Sequence, residues 1–398
     1  MDSKIRQDID AALKSFEEML IEQYQRNAGM AEAAGGSADN KKEGPLVIGT
    51  AAGDGIGPVI MKEVREILED LLAEEIAAGA IQLKEIEGFT IERRLELGET
   101  VPADVLEQML ASDLILKGPT TTPNAAMGGK NLESANVFLR KKLDLFANVR
   151  PVKVEAEGID WTFFRENTEG EYALGSRGIR LGNELSVDFK VTTYEGTRRI
   201  ARAAYEFARA NGKKRVSIVT KANIMKKTDG DFQSICLDVA KDYPEIETDC
   251  WFIDIMAANL VNTDIRNKFE VFVLPNLYGD IITDEAAQIQ GGVGTAGSAN
   301  IGSRYAIFEA IHGSAPRMVE EGIAHLANPA SLMTASVMML REAGARIADE
   351  SVARSVMAKA ERLYAAIAKA DAEMGSSMTG LPGGASCTEF AECVKEKL

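Results

Sequence analysis

The sequence predicts an α/β fold, and the prediction depends on the alternation of two kinds of segment. Short apolar runs at residues 46–49, 216–219 and 271–274 alternate with long segments that carry apolar residues at helical spacing, such as residues 56–76 and 195–211. Buried strands that alternate with helices are typical of a substantial parallel sheet with crossover helices. At 398 residues the chain is also long enough to form two or three lobes.

The first 44 residues are expected to form an extension ahead of the main domains. Apolar residues recur at helical spacing over residues 4–25, which predicts an amphipathic helix. Residues 31–44, rich in alanine, glycine and charged side chains, are predicted to be a flexible linker. The main domain is expected to begin near Pro45.

The composition narrows the classes of partner and the location. A net charge of −16 argues against nucleic acid or an anionic membrane as the main partner, because both are polyanions. Apolar stretches stay well short of the ~20 residues that a membrane span requires. The acidic N-terminal segment suits neither a secretory signal nor a transit peptide, so we expect a cytoplasmic protein. The four cysteines form no CxxC pair and are expected to be reduced thiols.

Three arginines indicate where an anionic ligand would bind. Ser134, Asn136 and Arg140 lie close together in the sequence and are followed by Arg150 and Arg165. A planar guanidinium matches a carboxylate through two parallel hydrogen bonds, so three of them suit a di- or tricarboxylate. The alternative is that these are unrelated surface arginines.

Two carboxylates, Asp280 and Asp284, lie four residues apart after the apolar run at residues 271–274. On a helix they would be one turn apart, and a hard divalent cation with oxygen ligands, Mg²⁺ or Mn²⁺, would explain why like charges are paired. Helix capping or simple solvation is the alternative. Asp254, which follows another apolar segment, is a candidate third ligand.

Lys221 directly follows the apolar run at residues 216–219. Sheets of α/β proteins commonly carry functional side chains at the carboxyl ends of their strands. A lysine whose pKa is lowered there by burial or by a neighbouring cation can serve in proton transfer. The alternative is an ordinary exposed lysine at a strand end.

Glycine-rich segments at residues 53–58, 290–302 and 308–316 would allow backbone to approach a cofactor closely. The first lacks the full GxGxxG fingerprint and is equally well explained as a strand-to-helix turn. Tight loop packing is the alternative for the other two. His312, in the third segment, would either stack on a base or fill a core position.

Together these segments resemble the β-decarboxylating dehydrogenases, the family of isocitrate, isopropylmalate and homoisocitrate dehydrogenases. Five motifs occur in the family's order: Gly-Asp-Gly-Ile-Gly-Pro at 53–58, Arg-Glu-Asn-Thr-Glu-Gly-Glu-Tyr at 165–172, Lys-Ala-Asn-Ile-Met-Lys at 221–226, Asn-Leu-Tyr-Gly-Asp at 276–280 and His-Gly-Ser-Ala-Pro at 312–316. The resemblance implies an extension (1–44), a large coenzyme-binding domain (45–145 plus 291–398), a small domain (146–169 plus 194–290) and a clasp-like insertion (170–193). The polar, Gly-containing insertion fits a loop or a hairpin.

The resemblance also implies an activity, the metal-dependent oxidative decarboxylation of isocitrate to 2-oxoglutarate and CO₂ with reduction of NAD or NADP. Asp280 and Asp284 would hold Mg²⁺ or Mn²⁺ together with the partner subunit's Asp254. The partner's Lys221 would help to remove the hydroxyl proton, and Tyr172 would return a proton to the carbon that loses CO₂. Since such a site is shared by two chains, a homodimer is implied as well.

Ser134 and Asn136 occupy positions where isopropylmalate enzymes of this family carry more apolar residues. A hydroxyl and an amide that face an isopropyl group lose hydrogen-bond partners, so isocitrate is favoured over isopropylmalate. Homoisocitrate stays an alternative, because one methylene is typically worth only ~1–3 kcal/mol.

The resemblance implies coenzyme contacts from Thr121, Glu309, His312, Gly313, Ala315, Arg317 and Asn328. Many NAD-dependent members have an aspartate directly after His-Gly-Ser-Ala-Pro, where this chain has Arg317. A cation there would attract the 2′-phosphate of NADP, which favours NADP over NAD. A non-catalytic regulatory subunit is the remaining alternative. It is disfavoured because such subunits lose metal or proton-transfer residues that are all present here.

Overall fold

The computed structural model describes residues 3–34, 41–123, 132–174, 177–292 and 296–398, and its architecture is mixed α/β. The helices are α1 (Ser3–Ala34), α2 (Gly57–Leu71), α3 (Ala73–Ala77), α4 (Ile91–Leu97), α5 (Ala103–Leu110), α6 (Ala135–Lys142), α7 (Tyr194–Ala210), α8 (Thr228–Ala240), α9 (Ile253–Val261), α10 (Asn276–Gln290), α11 (Pro316–Glu320), α12 (Ala330–Arg346), α13 (Glu350–Met374) and α14 (Cys387–Lys397). The strands are β1 (Leu46–Ala51), β2 (Ile81–Glu85), β3 (Leu114–Lys117), β4 (Ala147–Val154), β5 (Ile159–Glu166), β6 (Ile179–Leu181), β7 (Leu185–Val187), β8 (Arg215–Thr220), β9 (Glu247–Phe252), β10 (Val271–Leu274), β11 (Gly297–Ile301) and β12 (Ala306–Ala310).

The chain divides into two compact units. Unit 1 comprises Met1–Asp39, Phe146–Asn148 and Val152–Ala286, and unit 2 comprises Asn40–Leu145, Val149–Pro151 and Ala287–Leu398. β4 contributes residues to both units. The assignment of coenzyme-binding, small and clasp domains to particular ranges stays a prediction.

In unit 2 the strands lie in the order β2-β1-β3-β12-β11. β1 pairs in parallel with β2 and β3, β3 pairs in parallel with β12, and β11 runs antiparallel to β12. Val105, Ile115 and Leu139 belong to a fully buried apolar cluster beside this sheet. Each such side chain contributes ~1.5–3 kcal/mol through burial, which stabilises the packing of α5, β3 and α6.

In unit 1 the strands lie in the order β5-β10-β8-β9, and all of these pairings are parallel. Aromatic side chains fill the core, where Phe163 stacks on Phe272 with ring centroids 4.3 Å apart and Trp161 meets both rings edge-on. The indole nitrogen of Trp161 donates to the carbonyl of Arg266 over 3.0 Å, so the buried ring leaves its N–H satisfied. These pairings confirm the prediction of an α/β fold with a substantial parallel component.

The parallel pairing of unit 1 determines where several predicted site residues lie. Arg165 lies at the carboxyl end of β5, Asn276 opens α10 after β10, Lys221 follows β8 and Asp254 lies two residues after β9. Because neighbouring parallel strands end at the same edge of a sheet, the fold gathers these residues at one edge.

The N-terminal helix differs from the prediction. α1 continues to Ala34, beyond the predicted end near residue 25, so the expected flexible linker at 31–44 is wrong over its first four residues. The alanines, methionine and glutamate before Ala34 are good helix formers, which explains the extension. Residues 35–40 of the predicted linker lie outside the described residues. Beyond them, the amide of Lys42 donates to the carbonyl of Arg346 over 2.6 Å.

Three smaller expectations can be compared with the structure. β6 and β7 pair antiparallel as a hairpin within residues 170–193. All four cysteines are free, and Cys250 alone among them is exposed. Among the helices of the described residues, none combines the length and the apolar character that a membrane crossing requires.

Candidate active site

The glycine-rich turn after β1 is a tightly packed strand-to-helix connection. Gly53 and Gly55 have φ angles of +73° and +61°. A Cβ at Gly55 would lie 1.9 Å from the carbonyl oxygen of Ser314, so only glycine fits there. Between them, the buried carboxylate of Asp54 accepts the amide of Thr121 at 2.7 Å. The turn therefore fixes Thr121, whose hydroxyl lies 2.6 Å from that of Ser314.

A buried ion-pair cluster lies at the carboxyl end of β3. Lys117 Nζ is 2.8 Å from Glu309 on β12, and Asn300 donates to the same carboxylate over 2.7 Å. Arg140 of α6 approaches Glu309 to 3.7 Å. Burial alone would raise the pKa of Glu309, but Lys117 and Arg140 lower it to about 2. The Glu309 carboxylate is therefore ionised at neutral pH and holds Lys117 and Arg140 together in unit 2.

The predicted substrate residues of unit 2 lie near this cluster. Ser134 directly precedes α6, and Asn136 lies in its first turn, where its amide oxygen accepts the hydroxyl of Thr120 at 3.1 Å. A cavity of about 10 Å³ is lined by both Asn136 and Arg140. Arg150 is buried on β4. Arg165, the third predicted arginine, lies in unit 1.

The predicted coenzyme segment after β12 leads into the short helix α11. Burial lowers the pKa of His312, whose Nδ1 lies 3.0 Å from the carbonyl of Gly313. Ala315 has a φ of +43°, a region that non-glycine residues seldom adopt and that often marks functional loops. Arg317 is 85% exposed and pairs over 2.6 Å with Glu321, which directly follows α11.

Asn328, the last predicted coenzyme residue, has a structural contact of its own. Its side-chain oxygen accepts the amide of Ala330 at 2.9 Å, at the start of α12. This bond satisfies a backbone donor of the first helical turn. Gly313, in contrast, is exposed, and nothing lies within 4 Å of the place where a Cβ would be.

In unit 1, Asp280 is bound by two other predicted site residues. Arg165 Nη1 donates to one carboxylate oxygen of Asp280, and the Tyr172 hydroxyl donates to the other over 2.7 Å. Arg165 is fully buried and also donates twice to the side-chain oxygen of Asn276, over 3.0 and 2.6 Å. A cation, a carboxylate and a phenol are thereby held in one hydrogen-bonded set.

Asp280 and Asp284 both lie on α10, one turn apart, and Asp284 is exposed. Their carboxylate oxygens are the donors that Mg²⁺ and Mn²⁺ prefer, so the chemistry of the pair fits such an ion. Within the part of the chain that the structure describes, no three Asp, Glu, His or Cys side chains group as a metal site. Asp254 therefore does not join the other two aspartates in one chain.

Lys221 and Asp254 contact each other instead. Lys221 Nζ lies 2.5 Å from Asp254 Oδ1, and this hydrogen bond lowers the pKa of Asp254. The backbone amide of Lys221 donates to the buried carboxylate of Asp229 over 2.7 Å. Lys221 and Asp254, which the resemblance predicts to serve the site of a partner subunit, thus form one local pair in unit 1.

Sequence reasoning missed two members of these clusters. Lys117 ends the apolar run of β3, and a lysine at the end of a buried strand was the available signal. Asn276 stands in the quoted Asn-Leu-Tyr-Gly-Asp motif, but nothing local in the sequence indicates that it binds Arg165. Both pairings depend on residues far away in the chain.

Comparison with known proteins gives the same family over nearly the whole chain. The family model described as isocitrate/isopropylmalate dehydrogenase matches residues 47–394. A protein of Rickettsia prowazekii (strain Madrid E), named isocitrate dehydrogenase (NADP), is 40% identical over 309 residues, which are 75% of this chain and 60% of that protein. The chain thus spans about 60% of the length of the first curated relatives that it matches.

Two further relatives match over a larger share of their own length. Subunit 2 of the mitochondrial isocitrate dehydrogenase (NAD) of Schizosaccharomyces pombe is 35% identical over 338 residues, which are 83% of this chain and 84% of that protein. The crystal structure of isocitrate dehydrogenase from Methylococcus capsulatus aligns with a TM-score of 0.74 and 32% identity, covering 88% of this chain and 99% of that one. The chain belongs to the isocitrate/isopropylmalate dehydrogenase family.

Proposed function

We propose that this protein is an isocitrate dehydrogenase, which oxidises and decarboxylates isocitrate to 2-oxoglutarate and CO₂ while reducing NAD(P). The observation that carries the proposal is the hydrogen-bonded set in which Arg165 and Tyr172 both bind Asp280. It combines a cation suited to a carboxylate, a proton donor and a metal-binding carboxylate, which are the groups that this reaction needs. The relatives named as isocitrate dehydrogenases support it.

Each proposed catalytic residue has one task. Arg140, Arg150 and Arg165 bind the carboxylates of the substrate by charge-assisted hydrogen bonds. The partner's Lys221 takes the proton of the substrate hydroxyl, and a bound NAD(P) would supply the acceptor for the hydride. Tyr172 then returns a proton to the carbon that has lost CO₂. A bound Mg²⁺ or Mn²⁺ ion supplies Lewis-acid polarisation of the substrate oxygens, and Asp280, Asp284 and the partner's Asp254 would hold it.

Isocitrate is the proposed substrate within the family because of Ser134 and Asn136. Asn136 borders the cavity that Arg140 and Lys117 also line, which keeps a polar amide beside two cations. Polar groups in that position favour a carboxylate and disfavour an isopropyl group. Homoisocitrate, one methylene longer, is the alternative that the assay below must test.

NADP is the proposed coenzyme, and Arg317 is the reason. Its guanidinium is exposed and its single ion pair in the described residues is with Glu321, so the remaining N–H donors face solvent. A 2′-phosphate would gain charge-assisted hydrogen bonds there. Thr121, Glu309, His312, Gly313, Ala315 and Asn328 are the other proposed coenzyme contacts.

A homodimer in the cytoplasm is the proposed state. Large apolar side chains are exposed around the pair of Lys221 and Asp254, namely Ile224, Phe252 and Ile255. Exposed apolar patches of this kind commonly mark protein–protein contacts. Sedimentation equilibrium should give twice the chain mass of 43.0 kDa. A monomer at working concentrations would contradict the proposal of shared sites.

The decisive experiment is one assay of the purified protein with Mn²⁺. D-isocitrate, homoisocitrate and isopropylmalate are each offered with NAD or NADP, and formation of reduced coenzyme is followed. We expect turnover with isocitrate and a preference for NADP. No turnover with any of the acids contradicts the function, and isocitrate binding without turnover would favour the regulatory-subunit alternative.

The metal proposal has its own pair of variants. Asp280→Asn removes a proposed ligand, whereas Asp242→Asn neutralises an exposed aspartate outside the described clusters. Mn²⁺ binding in the presence of isocitrate, followed by electron paramagnetic resonance, should weaken at least tenfold in Asp280→Asn alone. Equal binding by both variants would contradict the assignment of Asp280.

A further inference from the structure

We propose that Arg26 of the N-terminal helix is a positioning residue for the catalytic site, which holds Arg165 and Tyr172 on Asp280 through the turn between them. The inference rests on the function proposed above for that site. The turn, residues 166–171, connects the end of β5 with Tyr172. We call it the acidic turn, because it contains Glu166, Glu169 and Glu171.

α1 reaches the acidic turn directly. Arg26 donates through Nη1 to Glu169 Oε1 over 2.8 Å and through Nη2 to the Thr168 hydroxyl over 2.7 Å. Glu169 has 3% of its side chain exposed, against 26% for Arg26. The partners are 143 residues apart in the chain, so the contact is a tertiary one that anchors the helix to the turn.

The acidic turn needs this cation because it buries two carboxylates. Glu166 and Glu169 are each 2% exposed. Burial, and then the charge of Glu169, raise the pKa of Glu166 to about 7, and the guanidiniums of Arg199 and Arg26 oppose that rise. Because buried like charges are unfavourable without counter-ions, the loss of Arg26 would leave the turn short of positive charge.

Thr168 links the two sides of the turn. Its hydroxyl donates to Glu166 Oε1 over 2.7 Å and accepts from Arg26 and from Arg199, the latter at 3.2 Å. The amides of Thr168 and Glu169 donate to the Glu166 carboxylate over 3.0 and 2.6 Å. The conformation of the turn therefore depends on the hydrogen bonds that the Glu166 carboxylate accepts.

The acidic turn is connected to the catalytic set at three points. Arg165 directly precedes it and Tyr172 directly follows it, and both bind Asp280. Between them, the carbonyl of Glu169 accepts the amide nitrogen of Asn276 at 2.9 Å, while the oxygen of the same amide binds Arg165. A turn that relaxes would shift both donors to Asp280.

Other contacts of α1 provide a matched control. Glu22 forms an ion pair with Arg177 at 2.5 Å, with 56% of the Glu22 side chain exposed. This pair attaches α1 to the region before β6 without touching the acidic turn. Glu22→Gln thus removes one ion pair from the same helix and serves as the control for Arg26→Met.

The test compares wild type, Arg26→Met, Arg26→Lys and Glu22→Gln in the full-length protein. Amide hydrogen exchange of Thr168 and Glu169 is measured without substrate, together with kcat and KM for isocitrate. We expect Arg26→Met to raise exchange of these amides about tenfold and to lower kcat at least tenfold with a smaller change in KM. Arg26→Lys keeps the charge but loses one hydrogen bond, so its values should be intermediate.

Three outcomes would overturn the inference. Exchange at the acidic turn that is unchanged in Arg26→Met is one, and a wild-type kcat in that variant is another. An equal loss in Glu22→Gln is the third, because it would mean that docking of the helix alone matters. If Arg26→Met does not fold, Arg26→Lys is compared with Glu22→Gln instead. The inference then requires faster amide exchange at the acidic turn and a lower kcat in Arg26→Lys than in Glu22→Gln. If the wild type shows no turnover, the proposed function fails, and hydrogen exchange alone decides whether Arg26 holds the turn.

Discussion

The Tyr172 hydroxyl donates a hydrogen bond of 2.7 Å to Asp280 Oδ2, and Arg165 binds the other oxygen of the same carboxylate. The guanidinium carbon of Arg165 also lies 5.3 Å from the centre of the Tyr172 ring. The phenol is therefore held between a cation and an anion. In the proposed reaction this geometry keeps a proton donor beside the carboxylate that would hold the metal.

Tyr172→Phe should lower kcat for isocitrate by ~10²–10⁴, the range usual for loss of a positioned proton donor. KM for isocitrate should change little. Arg165 is proposed to bind a substrate carboxylate, and its two hydrogen bonds to Asn276 keep it in place in this variant. Steady-state kinetics measure both. Tyr305→Phe, in unit 2, removes a hydroxyl that contacts the carbonyl of Leu110 and should keep wild-type kinetics. A kcat within threefold of wild type would refute the role of Tyr172.

Arg317→Ala should selectively weaken the use of NADP. Charge-assisted hydrogen bonds to phosphate contribute ~1.5–3 kcal/mol, so kcat/KM for NADP should fall roughly 10–100-fold while the value for NAD stays unchanged. Arg354→Ala is the control, since Arg354 is 75% exposed and pairs with Glu350 one turn away in the same manner. Equal losses with both coenzymes, or none, would contradict the proposed phosphate contact.

Glu309 should contribute stability that disappears in acid. Its pKa of about 2 in the fold lies below the ordinary value of 4.5. The folded carboxylate thus binds its proton more weakly than the unfolded one. Its contribution is complete above the unfolded pKa and is lost as the pH falls toward the folded pKa. A difference of this size corresponds to about 3 kcal/mol.

Glu309→Gln should therefore show a smaller fall in unfolding free energy than wild type between about pH 6 and pH 3. Urea denaturation at several pH values measures this slope. Glu350→Gln changes a glutamate that is 79% exposed and should keep the wild-type slope. An unchanged slope in Glu309→Gln would mean that Lys117 and Arg140 do not lower the pKa of this carboxyl group.

Local pattern predicted a good part of the fold but few of the contacts. Local patterns of apolar residues are sufficient to predict the strands β8 and β10 and the helix α7. These patterns depend only on neighbours in the sequence. The pairing of Lys117 with Glu309 and that of Arg26 with Glu169 join distant segments. Since no local spacing encodes such pairs, only the folded chain reveals them.

A buried lysine links three of the site segments in unit 1. Lys190 Nζ lies 2.6 Å from Asp229 Oδ1 and 3.3 Å from Glu171 Oε1, and it stands 4.3 Å from the centre of the Tyr278 ring. The other oxygen of Asp229 accepts the amide of Lys221. The lysine therefore joins the residue before Tyr172, the helix of Asp280 and the turn that carries Lys221.

Lys190→Met should destabilise the protein by ~3–5 kcal/mol, because Asp229 is fully buried and would lose its cation. In Lys190→Met/Asp229→Asn the uncompensated charge is gone. The double variant should therefore lose less than the two single variants combined, with a coupling of about 1–3 kcal/mol. Urea denaturation measures the unfolding free energy of each variant in this cycle.

The same cycle on the exposed pair of Arg354 and Glu350 should give a coupling of no more than about 0.5 kcal/mol. Additive effects at Lys190 and Asp229 would show that the buried pair does not join these segments.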